Sequence, residues 1–100
     1  MLFDLFSPGK VDAFAKTLAT RVARSYPPAV ANNPGHMISQ KRLTTILEEA
    51  FSGARRFNEE NRLGIFSKAK LGKTFRWTLR EMGYDEEFID RATGLLLASL

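Results

Sequence analysis

The sequence predicts an all-α protein, a small bundle of four helices. Three observations predict it: a repeated helix-start pattern, apolar residues spaced three and four apart, and turn-forming residues concentrated between the periodic segments. The chain has 100 residues, of which 44% are apolar and 26% charged. This composition is typical of a soluble globular protein, and the length suits a single domain over 1–100.

The helix-start pattern occurs four times, at Ser7, Ser39, Ser67 and Asp85. In each case an apolar residue precedes the Ser or Asp, and another apolar residue follows four positions later. A Ser or Asp side chain at an N-cap accepts a hydrogen bond from a free backbone N–H, and the flanking apolar pair packs over the first turn. The pattern therefore predicts four helix N-termini.

The first helix is predicted over 8–26. Pro8 suits the first helical position, and two consecutive prolines after Tyr26 end the helix because proline lacks the backbone donor and restricts the residue before it. A short apolar segment, 1–6, precedes the helix. Turn-forming asparagine, proline and glycine residues predict a loop over 27–38.

The second helix is predicted over 40–62, where the apolar residues from Leu43 to Phe57 form one stripe. Gly53 lies at the edge of this stripe. Since glycine inside a helix costs about 1 kcal/mol relative to alanine, we interpret Gly53 as permitting a close helix crossing. A tolerated defect or a slight kink is the alternative. Gly64 is expected to end the helix in the left-handed conformation.

The third and fourth helices are predicted over 68–82 and 86–98. Ser67 and Asp85 are their expected N-caps, and Gly83 is the expected left-handed residue between them. Two glutamates follow Asp85 directly, and acidic residues in a first turn stabilise a helix through its dipole. These two helices complete the predicted bundle.

The net charge of +4 conceals an uneven distribution. Residues 63–80 contain five basic and no acidic residues, whereas residues 81–100 contain one basic and five acidic residues. The third predicted helix is therefore strongly basic and the fourth is acidic. A tight turn joins the two helices, but the acidic start of the fourth would repel DNA phosphates, which excludes a helix-turn-helix motif here.

On a helical wheel, the face of the third helix opposite its apolar residues carries four cations and the single tryptophan of the chain. These candidate binding residues are Lys70, Lys73, Arg76, Trp77 and Arg80. Cations around an exposed indole are typical of a site for an anionic partner. The alternatives are a solvated face, a face paired with the acidic fourth helix, or a tryptophan covered by segment 1–6 or by its neighbours' aliphatic stems.

The sequence offers little catalytic chemistry. It contains no cysteine, and its single histidine, His36, lies in the predicted loop without a convergent partner. Gly72, Lys73 and Thr74 match the end of a phosphate-binding loop, but Ser67 stands where the pattern requires glycine and no strand precedes it. We therefore expect no enzyme, no metal site and no cofactor. The absence of cysteine also suits a reducing cytoplasm.

Three functions are compatible with this sequence. Apolar residues outside the predicted core, Leu2, Phe3 and Leu97, favour a protein-interaction module or a homo-oligomer. The alternative is binding of nucleic acid or another anionic partner through the basic face of the third helix. Attachment of that helix to a membrane surface ranks last, because its apolar face is needed for the core.

Overall fold

The computed structural model of the protein describes residues 8–35 and 38–100. These residues form helices and contain no β-strand. In chain order the helices are α1 (Pro8–Ser25), α2 (Pro28–Ala31), α3 (Gln40–Ala50), α4 (Ala54–Asn61), α5 (Ile65–Met82) and α6 (Glu86–Ala98). The prediction of an all-α protein is confirmed, although the described residues contain five helices longer than one turn rather than four.

The first and last predicted helices are found within one residue of their expected bounds. Pro27 follows the end of α1, as expected from its missing backbone donor. The predicted N-cap of α3 is also present, because the Ser39 hydroxyl accepts a hydrogen bond from the Arg42 N–H at 3.1 Å. The predicted loop over 27–38 contains one helical turn, α2, which Pro28 begins because its fixed φ suits a first helical position.

The predicted helix over 40–62 is wrong as a single element. It is divided into α3 and α4 at Phe51–Gly53, where Gly53 adopts the left-handed conformation with φ of +91°. A Cβ at Gly53 would meet no atom within 4 Å, so this glycine does not permit a close crossing. The apolar stripe nevertheless continues into α4, where the Phe57 ring stacks on Phe14 of α1 with centroids 4.0 Å apart.

The start of the third predicted helix is also corrected. Helix α5 begins at Ile65 rather than at residue 68, so Ser67 lies inside the helix and Gly64 precedes it in an extended conformation. The left-handed residue that ends α4 is Arg62, with φ of +49°, rather than Gly64. The predicted left-handed conformation of Gly83 is confirmed, with φ of +102°.

Helices α1 and α5 form the largest contact between elements and run in the same direction. Asp12, near the start of α1, contacts Thr74 in the middle of α5, and Tyr26, directly after α1, contacts Tyr84, two residues after the end of α5. Helix α6 packs antiparallel to α5, and α3 packs against α1 and α6. The fully buried core side chains include Leu18, Val22, Leu47, Leu71, Phe75, Leu79, Ile89 and Leu96.

The close approach between helices occurs at Gly72, where α5 meets α6. A Cβ at Gly72 would lie 3.4 Å from Leu97 Cδ2, so Leu97 packs over the glycine. Gly72 is buried within α5. This glycine, rather than Gly53, therefore permits the close approach of a neighbouring helix, α6.

Hydrogen bonds join the loop after α1 to the turn between α5 and α6. The buried Tyr84 hydroxyl donates to the Tyr26 carbonyl oxygen at 2.6 Å. The Asn32 amide donates to the Gly83 carbonyl oxygen at 2.7 Å, and its oxygen accepts from the Asp85 N–H at 3.2 Å. These contacts fix the turn that sets the positions of α5 and α6.

Candidate functional site

The five residues predicted to bind an anionic partner line one surface groove beside α1 and α5, of about 360 Å³. We call it the Trp77 groove. Its predicted members, all on α5, are Lys70, Lys73, Arg76, Trp77 and Arg80. Three further lining residues were not predicted as site residues: Asp12 and Lys16 of α1, and Thr74 of α5.

Helix α1 supplies one wall of the groove through a direct contact with α5. The Thr74 hydroxyl donates to Asp12 Oδ1 at 2.7 Å, and Lys70 Nζ lies 3.7 Å from the same oxygen. Lys16 lies one turn beyond Asp12 and therefore on the same side of α1. The spacing of Asp12 and Lys16 could have indicated a shared polar face, but no sequence pattern indicates which helix lies beside it.

Two arginines of the groove are held by carboxylates of α6. Arg80 donates two hydrogen bonds to the Glu86 carboxylate, at 2.7 and 2.8 Å, and Arg76 donates to Asp90. The hydrogen bond from Arg80 lowers the pKa of Glu86 and raises the pKa of Arg80. These groups are exposed, and exposed ion pairs contribute little to stability. Their main effect is to orient the two guanidinium groups.

The remaining cations of the groove are less constrained. Lys70 lies near Asp12 in a partly exposed pair. Lys16 and Lys73 form no ion pair within residues 8–35 and 38–100, and both are exposed. The alternative that the basic face is paired with the acidic helix therefore holds for Arg76 and Arg80 but not for these lysines.

Trp77 lies among these cations with 57% of its surface exposed. The described residues thus leave the indole open to solvent. The alternative that segment 1–6 covers it lies outside the described residues. Phe66 is 88% exposed and lies eleven positions earlier on α5, which places it on the same side of the helix as Trp77.

The apolar residues expected to form an interaction surface are only partly described. Leu2 and Phe3 lie outside the described residues. Leu97 is 43% exposed, although its side chain also packs against Gly72. The exposure of Ile65 and Phe66 is not evident from the sequence, because the pattern around Ser67 predicts that Phe66 packs over the first turn of a helix, a contact that the structure does not form.

Other kinds of site are not evident among the described residues. No group of three or more histidine, aspartate or glutamate side chains there could hold a metal ion. His36 lies outside the described residues. None of the described helices is both long and apolar enough to cross a membrane.

Comparison of the chain with protein-family models, curated proteins and solved structures finds no match, so its function is inferred from the groove.

Proposed function

We propose that this chain is a non-enzymatic protein-interaction module that binds a partner protein through the Trp77 groove. The observation that carries the proposal is Trp77 itself, which is 57% exposed and lines one groove with two guanidinium groups that are already held in place. Tryptophan and arginine are the residues most enriched among those that dominate protein–protein binding energy. Their juxtaposition on one surface supports a binding role.

The carboxylates behind the arginines support the same role. Binding normally orders flexible side chains, at about 0.5–1.5 kcal/mol for each immobilised one. Glu86 and Asp90 hold Arg80 and Arg76 through hydrogen bonds before any partner arrives. The groove is therefore partly preorganised, which lowers the entropic cost of binding.

Nucleic acid is the second candidate partner. It is supported by Lys16 and Lys73, which have no ion-pair partner among the described residues and lie in the groove with an aromatic ring that could stack on a base. The carboxylates of Asp12, Glu86 and Asp90 oppose it, because the uninterrupted line of phosphates on a nucleic acid would bring negative charges against these groups as well as against the lysines. We therefore favour a protein partner.

Self-association through the groove is disfavoured by charge. A symmetric dimer would place the groove of one copy against the same groove of its partner, and both carry an excess of cations. We propose a different protein as the partner. A monomeric mass in size-exclusion chromatography with light scattering is the expected result.

The direct test is selection of a random peptide library against the immobilised protein. We expect selected peptides to bind the wild type and to lose binding to Trp77→Ala. A matched variant, Leu97→Ala, removes another exposed apolar side chain and should retain binding. Circular dichroism of both variants verifies their folding. Failure to enrich any peptide, or peptides whose binding depends on Leu97 but not Trp77, would overturn the proposal.

Fluorescence anisotropy of labelled oligonucleotides tests the second candidate, because the signal comes from the oligonucleotide and can be measured with both the wild type and Trp77→Ala. Single- and double-stranded oligonucleotides are titrated at about 50 mM salt, where counterion release favours binding. We expect no response that depends on Trp77. A response that disappears in Trp77→Ala and falls steeply with salt would transfer the function to nucleic-acid binding.

A further inference from the structure

The exposed side of α5 continues beyond the Trp77 groove as a line of four residues, Phe66, Lys70, Lys73 and Trp77, which we call the α5 ridge. All four are exposed. Their spacings of four, three and four positions keep them on one side of the helix. Two aromatic rings therefore flank two lysines along a single line.

The length of the ridge defines the size of a partner that could contact all of it. Phe66 and Trp77 are eleven positions apart, which corresponds to about 16 Å along a helix that rises about 1.5 Å per residue. A second helix lying alongside would span the same distance with the same number of residues. Its contact residues would follow the same spacing of four, three and four.

We propose that the partner presents an acidic amphipathic helix, with apolar residues that contact Phe66 and Trp77 and carboxylates that contact the lysines between them. This inference rests on the proposed function and adds the chemistry of the partner to it. An apolar helix face lying in a surface groove is a common mode of peptide recognition.

Charge complementarity favours an acidic partner over a neutral one. Lys73 on the ridge and Lys16 on the facing wall form no ion pair among the described residues. Lys70 shares Asp12 with the Thr74 hydroxyl at a distance of 3.7 Å, so it can turn toward a partner at small cost. These three lysines are the groove cations that α6 does not hold, and they can pair with a partner's carboxylates.

The arrangement of the helices favours a helical partner over a membrane surface. Helices α1 and α5 lie side by side in the same direction and leave a trough between them, in which the Trp77 groove lies. Side chains of a third helix can pack into such a trough, ridges into grooves. A bilayer surface is flat on this scale, so it would contact the exposed ridge without filling the trough between α1 and α5.

The probe is a synthetic alanine-rich helix of about 20 residues, long enough to be helical in water. It carries leucine at the two outer positions of the spacing and glutamate at the two inner positions. Because this spacing reads the same in both directions, one peptide tests parallel and antiparallel binding. Two control peptides replace the glutamates with lysine or the leucines with serine.

Binding to the wild type is measured by Trp77 fluorescence and by amide chemical-shift changes. The chemical shifts also measure binding to Trp77→Ala, which lacks the tryptophan signal. We expect the acidic peptide to bind the wild type and both control peptides to bind at least ten-fold more weakly. Trp77→Ala should weaken binding about 30-fold or more, as expected at the centre of an interface. Lys73→Glu should weaken it about five- to thirty-fold. Lys41→Glu, with the same charge change on α3, should leave it unchanged.

Three outcomes of the peptide and vesicle measurements would overturn the inference. The first is no binding of the acidic peptide at about 1 mM, a weak affinity for any interface. The second is equal binding of the lysine control peptide. The third is binding to phosphatidylserine vesicles, dependent on Trp77, without binding of the peptide. Trp77-dependent library peptides that are not acidic would leave the proposed function intact and refute only this inference.

Discussion

Replacing Tyr84 with phenylalanine should reveal a stability contribution whose sign depends on pH. The Tyr84 side chain is buried, and its hydroxyl donates to the Tyr26 carbonyl oxygen at 2.6 Å. Tyr84→Phe removes this hydroxyl and keeps the ring that stacks on Phe88 with centroids 4.7 Å apart. Near neutral pH the lost hydrogen bond should lower the free energy of unfolding by about 1 kcal/mol.

At alkaline pH the same hydroxyl becomes unfavourable for the folded state. Burial raises the pKa of Tyr84 to about 12, whereas a tyrosine in the unfolded chain ionises near pH 10. The unfolded state therefore releases this proton first, and the contribution present below pH 10 is lost as pH rises toward 12. At about pH 11 the tyrosine is mostly ionised in the unfolded state and mostly protonated in the folded state. Ionisation then favours the unfolded state about ten-fold, which corresponds to a loss of about 1.4 kcal/mol.

The measurement is urea-induced unfolding of the wild type and Tyr84→Phe, followed by circular dichroism at about pH 7 and about pH 11. The two proteins differ only at residue 84, so the effects of pH on all other residues cancel in their difference. We expect the wild type to be more stable by about 1 kcal/mol near neutrality and to have no advantage at about pH 11. A difference that stays constant between the two pH values would refute the reasoning.

Three substitutions test the helices themselves by urea unfolding. Gly94→Ala should stabilise the protein by about 1 kcal/mol, because Gly94 lies within α6 and an added Cβ meets no atom within 4 Å. Thr93→Val should stabilise it by about 1 kcal/mol, since the buried Thr93 hydroxyl has no hydrogen-bond partner among the described residues. Gly53→Ala should destabilise it by about 1–2 kcal/mol, because Gly53 has φ of +91°. Unchanged stability in Gly53→Ala would show that the break after α3 is not fixed by this residue.

The sequence predicted the elements whose ends have strong local chemistry. Two prolines end α1, the Ser39 hydroxyl caps α3, and a left-handed glycine follows α5. The division of the second helix was missed because the break is short and the apolar stripe continues from α3 into α4. Apolar spacing is the same on both sides of such a break, so only the conformation of Gly53 distinguishes one helix from two.

For the candidate site, the sequence predicts the residues that share one helix but not the contacts between helices. The basic side of α5 could be predicted because its members lie on one helix and its spacing is fixed. The contribution of α1 could not, since no local pattern indicates that Asp12 and Lys16 lie beside Lys70 rather than beside another helix. The exposure of Phe66 was missed for a related reason: helix α5 begins two residues before Ser67, so no capping contact buries the ring.

The acidic helix does not simply neutralise the basic one. Its carboxylates Glu86 and Asp90 reach Arg80 and Arg76, the two cations closest to the turn on the side of α5 that faces α6. The lysines on the α5 ridge form no ion pair with α6 among the described residues: Lys70 lies beside Asp12 of α1, and Lys73 has no ion-pair partner there. If the acidic helix served only to cancel charge, Glu86→Gln and Lys73→Glu would change partner binding in opposite directions. Because we assign Glu86 to orienting Arg80, both substitutions should weaken binding, and stronger binding by Glu86→Gln would contradict this division of roles.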